Sequence, residues 1–139
     1  EKDFKFQLGE NILMKEGKDV CLFATGAILK EALDAAKILD KEKISTKVVN
    51  VHTIKPINSK QIIKEIKNMK FIFSLEEHNI FGGLGTAISE VLTDNGSNSK
   101  LIRLGVNDKY DKGGDYKFLK EKNGLTSVKI AQKIKNTLL

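Results

Sequence analysis

Short apolar runs alternate along this chain with segments patterned for helices, and this alternation constrains the fold more than any other feature. The clearest run, 20–24, contains no polar residue, which predicts a β-strand covered on both faces. After Thr25 and Gly26, apolar residues recur at the spacing of an amphipathic helix: Leu29, Ala32, Leu33, Ala36 and Leu39. Strands joined by helices of this length form parallel, right-handed crossovers. The pattern therefore predicts an α/β fold.

The same pattern repeats towards the end of the chain. Further buried strands are predicted at 47–51, 71–75 and 101–104, each followed by a loop and a helix. Asn58 or Ser59 can cap the second helix. The inner face of the last helix is predicted to consist of Val128, Ala131, Ile134 and Leu138. A short segment at 11–14 predicts one more strand at an edge. We therefore expect a three-layer α/β/α sandwich with a mostly parallel sheet of about five strands and one short, antiparallel edge strand.

The charge balance bears on the class of partner. Lysine and arginine number 24 against 18 acidic residues, giving a formal net charge of +6, and basic domains can bind nucleic acid through phosphate contacts. Arg103 is, however, the only arginine, aromatic residues make up 6% of the chain, and the lysines are spaced along predicted helix faces. Such lysines are typical of solvated surfaces. The sequence therefore favours a domain that does not bind nucleic acid.

The number of cysteines and the first residue indicate the cellular compartment and whether the chain is part of a longer protein. Cys21 is the single cysteine, so no internal disulfide can form, which favours a cytoplasmic protein. The longest apolar run is too short to cross a bilayer, and no membrane partner is expected. The chain begins with Glu1 rather than methionine, and we expect it to be a piece of a longer protein.

One edge of the predicted sheet is the natural place for a ligand, because ligands of open parallel sheets bind beyond the carboxyl ends of the strands. Seven residues at strand ends and at one helix start form this candidate ligand edge: Thr25, Gly26, Glu77, His78, Gly82, Gly83 and Gly85. Glycines at a helix start leave N–H groups that favour an anion. They also allow close helix–strand packing, which we favour, because the segment is neither a Walker loop nor a dinucleotide fingerprint.

The side chains around this edge do not form a recognisable catalytic set. Glu76 and Glu77 are neighbours in an extended segment and so point to opposite faces, which argues against a shared proton. One of them could form an acid–base pair with His78, or could fix the strand-to-helix turn by hydrogen bonds, which we favour. The two histidines lack the spaced ligands of a metal site. We therefore expect no catalytic residue and no metal ligand in this chain.

Several motifs in register resemble the C-terminal domain of transketolase-type enzymes. The central one is Phe-Ser-Leu-Glu-Glu-His-Asn-Ile-Phe-Gly-Gly-Leu-Gly at 73–85, and others lie at 24–26, 51–56, 104–110 and 124–126. The resemblance covers 10–139, which leaves 1–9 as a linker from a missing upstream domain. Within the group the chain most resembles transketolase of the bacterial or split kind. Deoxyxylulose-phosphate synthases and β subunits of 2-oxoacid dehydrogenases carry the same domain and stay as alternatives.

The resemblance implies a function for a longer enzyme. That enzyme would move a two-carbon ketol unit between sugar phosphates, as in the pentose phosphate pathway, with thiamine diphosphate and a divalent metal such as Mg²⁺. The family's Gly-Asp-Gly motif is missing here, since the only Gly-Asp pair, Gly114-Asp115, is followed by Tyr116. We therefore expect no cofactor site in this chain and no activity from it alone. Its expected partners are the missing cofactor-binding domains or a partner subunit, and the full enzyme is expected to be a homodimer. The candidate roles of this chain are packing, dimer support and regulation.

Four apolar residues are candidates for contact with the missing domains: Phe4, Phe6, Ile80 and Phe81. Ile80 and Phe81 adjoin the glycine-rich turn, where apolar side chains are hard to bury within the domain itself. The alternative is that they cap the turn locally. A different class of function also stays open, a free-standing module that binds an anion or nucleotide at the helix start of 82–85.

Overall fold

A computed structural model describes residues 6–110 and 113–138, so Phe4 lies outside the described residues. The strands are β1 Ile12–Lys15, β2 Val20–Ala24, β3 Thr46–Asn50, β4 Phe71–Asn79 and β5 Lys100–Val106. The helices are α1 Leu29–Lys41, α2 Ser59–Glu65, α3 Leu84–Asp94, α4 Tyr116–Lys122 and α5 Ser127–Leu138. A single 3₁₀ turn, Gly26–Ile28, leads from β2 into α1.

The strands form one five-stranded sheet in the order β1-β3-β2-β4-β5. β1 runs antiparallel to β3, and the other neighbouring pairs are parallel. Ala24 lies beside both Asn50 and Leu75, and Leu75 lies beside Leu104. The predicted sheet is confirmed, and the carboxyl ends of its four parallel strands meet at one edge.

Helices cover both faces of the sheet and enclose two apolar clusters. One cluster joins one face to α1 and α5, and the other joins the opposite face to α2 and α3. All five residues of β2 are fully buried because they lie between these two clusters. This double coverage explains why the run at 20–24 carries no polar residue, and it confirms the α/β/α architecture.

Two predicted details are wrong. β4 does not end at Leu75 but continues to Asn79, because the carboxylate of Glu76 is buried and hydrogen-bonded within the domain. Val128 does not face the core and is 64% exposed. The buried stripe of α5 consists of Ile130, Ala131 and Ile134, and the helical period places Val128 about a third of a turn away from it.

Cys21 lies in the interior of the domain. The residue is fully buried, and burial raises the pKa of its thiol well above the usual range. A thiol in this state is a poor nucleophile at neutral pH. No helix in 6–110 or 113–138 combines the length and apolar character needed to cross a bilayer.

Candidate functional site

Two segments of the predicted ligand edge lie side by side. The backbone N–H of Thr25 donates to the carbonyl of Leu75 across 3.3 Å, which sets the end of β2 against the start of the segment that carries Glu76 and Glu77. Gly26 then turns the chain with a φ of +77°, a conformation that glycine adopts without steric cost. Thr25 and Gly26 therefore lie next to the segment that carries Glu76 and Glu77, as the parallel sheet requires.

Glu76 occupies the helix start that was a candidate for anion binding. Its side chain is fully buried, Oε2 accepts from the N–H of Leu84 at 2.8 Å, and Oε1 accepts from the N–H of Gly85 at 2.9 Å. A carboxylate in this place is stabilised by unpaired N–H groups and by the helix dipole. Any external anion at this point of α3 would have to displace an internal one.

The glycines at this helix start are required by close packing. A Cβ on Gly83 would lie 2.8 Å from Cδ of Glu76, and one on Gly85 would lie 2.8 Å from Oγ of Ser74 and closer still to the Arg103 side chain. Separations this short do not occur for real side chains. Gly82 has open space around it but a φ of +79°, so its role is conformational. This arrangement agrees with the favoured packing interpretation.

Glu77 points to the other face of the sheet, as an extended backbone requires. Its carboxylate accepts a hydrogen bond from the hydroxyl of Tyr116 on α4, 39 positions along the chain. Lys120 of the same helix lies 4.6 Å from the centroid of the Tyr116 ring and pairs with Glu31 of α1 at 2.6 Å. Glu77 therefore helps to hold α4 on the domain, while the His78 side chain is exposed.

The pairing with Glu77 predicts an unusual titration of Tyr116. The hydrogen bond and the negative charge of Glu77 raise the pKa of Tyr116 from 10 to about 12. Because the pKa in the folded state is the higher one, the stabilisation is complete below pH 10 and is lost as pH rises through 12. In a Tyr110→Phe variant, which leaves Tyr116 as the only tyrosine, phenolate absorbance should therefore have its midpoint near 12. Adding Glu77→Gln should move that midpoint towards 10, and an unchanged midpoint would contradict the pairing.

The apolar candidates differ in how much of each side chain remains free. Phe81 is 59% exposed, with the Arg103 guanidinium 5.4 Å from its ring centroid. Phe6 is 64% exposed, and its ring centroid lies 4.7 Å from that of His52. Ile80 is half-buried and contacts the backbone beside β5, since a Cβ on Gly105 would lie 3.0 Å from its Cγ2. Phe6 and Phe81 therefore offer more free apolar surface than Ile80 does.

The acidic residue of the only Gly-Asp pair has a structural role. Asp115, the acidic residue of the only Gly-Asp pair, caps α4 by accepting from the N–H of Phe118 at 2.8 Å. Within 6–110 and 113–138, no group of three or more histidine, cysteine or acidic side chains could hold a metal ion.

Two residues of this region were not found from the sequence. Tyr116 contacts Glu77 and Arg103 lies over Phe81, and both contacts join elements that are distant along the chain. The only available signal was Asp115 ahead of an apolar-periodic segment, which is typical of a helix cap. That signal predicts where α4 begins but not what its first residue contacts.

Comparison with known proteins gives consistent matches over nearly the whole chain. The family described as "Transketolase, C-terminal domain" matches residues 9–130. The chain is 40% identical over 134 residues to a "Putative transketolase C-terminal section" of Methanocaldococcus jannaschii, covering 96% of this chain and 42% of that protein. It is 36% identical over 125 residues to a 1-deoxy-D-xylulose-5-phosphate synthase of Heliobacterium modesticaldum, covering 90% of this chain and 19% of that protein.

A solved structure extends the likeness to the fold in three dimensions. The structure titled "Split gene transketolase, inactive beta4 tetramer" superposes with a TM-score of 0.88 and 33% sequence identity, covering 96% of this chain and 43% of that chain. The present chain therefore spans less than half the length of each of these proteins.

Proposed function

The chain belongs to the transketolase C-terminal domain family, and from that premise we propose that it is the C-terminal domain of the C-terminal polypeptide of a split transketolase. One observation carries the proposal. The chain covers 42% of a protein named as a transketolase C-terminal section and 43% of a split-gene transketolase chain. The remaining part of a polypeptide of that kind has room for at least one further domain. The full enzyme would transfer a two-carbon ketol unit between sugar phosphates with thiamine diphosphate and a divalent metal.

In this proposal the chain contributes shape and contact surface rather than reacting groups. Glu76 is used to cap α3, Glu77 binds Tyr116, and Asp115 caps α4. Breaking the hydrogen bonds that these carboxylates already accept, so that they could bind another group, would cost free energy. The exposed groups at the carboxyl edge of the sheet are, by contrast, free to meet another domain.

We place the contact with the cofactor-binding domains at this carboxyl edge. Phe6 and Phe81 expose more than half of their side chains there, and a cleft of about 270 Å³ opens at the same edge, lined in part by Ile54, Ile57 and Gly82. Large exposed aromatic side chains beside a cleft are typical of protein–protein interfaces. Phe4 and Ile80 remain candidates for the same contact.

Introducing a charge at Phe81 should weaken assembly with the cofactor-binding polypeptide. We expect Phe81→Asp to raise the dissociation constant at least tenfold, about 1.4 kcal/mol, because it removes an aromatic contact and buries a carboxylate in its place. The measurement is a titration of this chain, bearing a fluorophore, with the partner polypeptide. Val128→Asp is a matched control, since Val128 is 64% exposed, close to the 59% of Phe81, but lies on α5. Equal effects of the two substitutions, or none from either, would contradict the assigned face.

A deoxyxylulose-phosphate synthase is the second candidate, favoured by the 36% identity to one such enzyme. The two candidates differ in the length of the polypeptide that carries the domain. The domain covers 42% of the transketolase section but 19% of the synthase. The intact mass of the native polypeptide therefore tests the split transketolase, because a chain about five times the length of this domain would fit the synthase and not a polypeptide of the split kind.

A further inference from the structure

β5 is an outer strand of the sheet, with β4 as its neighbour. The N–H of Lys100 donates to the carbonyl of Lys70 across 2.8 Å, and alternate residues of a parallel strand bond to the same neighbour. Ile102 and Leu104 therefore also direct their backbone groups towards β4. The N–H and C=O groups of Leu101 and Arg103 point away from the sheet, and such an edge is a template for a further strand.

A groove lies against the carboxyl-terminal part of this edge. Its volume is about 340 Å³, and it is lined on one side by Arg103, Leu104 and Gly105 and on the other by residues that include Lys129 and Lys133 of α5. An added strand would thus meet backbone on one side and a helix on the other.

The charges of the groove select among occupants. The residues that line it include three cations, Arg103, Lys129 and Lys133, and no acidic side chain. Lys129 pairs with Glu121 at 2.7 Å, whereas Lys133 is exposed on α5. In an antiparallel pair of two copies centred on Arg103, the two guanidinium groups would lie opposite each other, and like charges across a strand pair are destabilising. An acidic segment has the complementary charge.

We propose that the free edge of β5 is a docking site for an extended, acidic segment of a partner protein, which adds to the sheet as a sixth strand. Successive side chains of an added strand point to opposite faces. On one face they meet the α5 lysines, and on the other they meet Arg103, whose side chain packs beside Gly85 of α3. Main-chain hydrogen bonds would supply affinity and the carboxylates would supply selectivity.

The proposal is tested with a synthetic peptide, Glu-Val-Glu-Glu-Val-Glu, which presents carboxylates to both faces. We expect it to bind this chain and to slow amide hydrogen exchange at Leu101 and Arg103. Lys133→Glu should weaken binding at least tenfold. Lys60→Glu, a change at another exposed lysine that lies on α2, should leave it unchanged.

Two further peptides separate strand addition from charge attraction. The same acidic peptide N-methylated at alternate residues keeps its charge but loses backbone donors, and it should bind at least tenfold more weakly. The basic analogue Lys-Val-Lys-Lys-Val-Lys should not bind. Equal binding of the methylated peptide, equal binding of the basic peptide, no binding of the acidic peptide, or pairing of this edge with a second copy of the chain would each overturn the proposal. None of these outcomes depends on ketol transfer, so the proposed function is tested separately.

Discussion

Replacing Glu76 with alanine is expected to lower the free energy of unfolding by about 3–4 kcal/mol. The substitution leaves the N–H groups of Leu84 and Gly85 buried without an acceptor, and it removes the charge that complements the α3 dipole. It also leaves a void where a fully buried side chain had been. The measurement is equilibrium unfolding in urea, with the midpoint and slope compared between the variant and the unchanged chain.

The neighbouring carboxylate provides the control for this prediction. Glu77→Ala removes a half-buried side chain whose partner, Tyr116, is itself exposed, so we expect a loss of less than about 1 kcal/mol. Glu76→Gln should fall between the two, because it keeps one carbonyl acceptor for the helix start. Equal destabilisation by the two alanine substitutions would show that Glu76 has no special structural role.

Gly83→Ala is expected to cost about 2–3 kcal/mol, the second largest effect. The new methyl group would overlap the carboxylate of Glu76, which is buried and held by two hydrogen bonds. Gly113→Ala is the matched control, because a Cβ there would meet nothing within 4 Å, and it should change stability by less than about 0.5 kcal/mol. Thermal unfolding of the three proteins under identical conditions gives the comparison.

The unchanged chain and the Gly83→Ala variant also test whether this helix start binds phosphate. Because Glu76 already accepts from Leu84 and Gly85, we expect inorganic phosphate to produce no saturable rise in the melting temperature. A saturable rise that Gly83→Ala abolishes, with the variant still folded, would instead support an anion-binding module.

Much of the fold could be predicted because its signals are local. The apolar run at 20–24 indicates a strand buried on both faces. The helical spacing after Gly26 indicates a helical crossover, and strands joined by such crossovers are parallel. The end of β4 could not be predicted in the same way. Its last residues, Glu76 to Asn79, are polar and resemble a loop. The buried hydrogen bonds from α3 to Glu76 and the pairing of Asn79 with Val106 of β5 hold the strand beyond Leu75.

The site was harder to predict because its decisive contacts are not local. The sequence indicated that Glu76 and Glu77 diverge, but which of the two is buried depends on the elements that cover each face. Tyr116 reaches Glu77 across 39 positions, and no spacing rule connects residues that far apart. The two interpretations of the glycines at 82–85 were likewise separable only by the distances a Cβ would have to its neighbours.

The most direct test is an assay of ketol transfer with this chain alone and with the polypeptide that carries the cofactor-binding domains. Both samples would contain thiamine diphosphate, Mg²⁺ and a donor and acceptor sugar phosphate, and the mass of each assembly would be measured in parallel. We predict no turnover above the blank for the chain alone, and turnover only where a stable complex forms. Turnover by the chain alone, or an absence of any complex while the partner is active by itself, would contradict its place as a domain of a split transketolase.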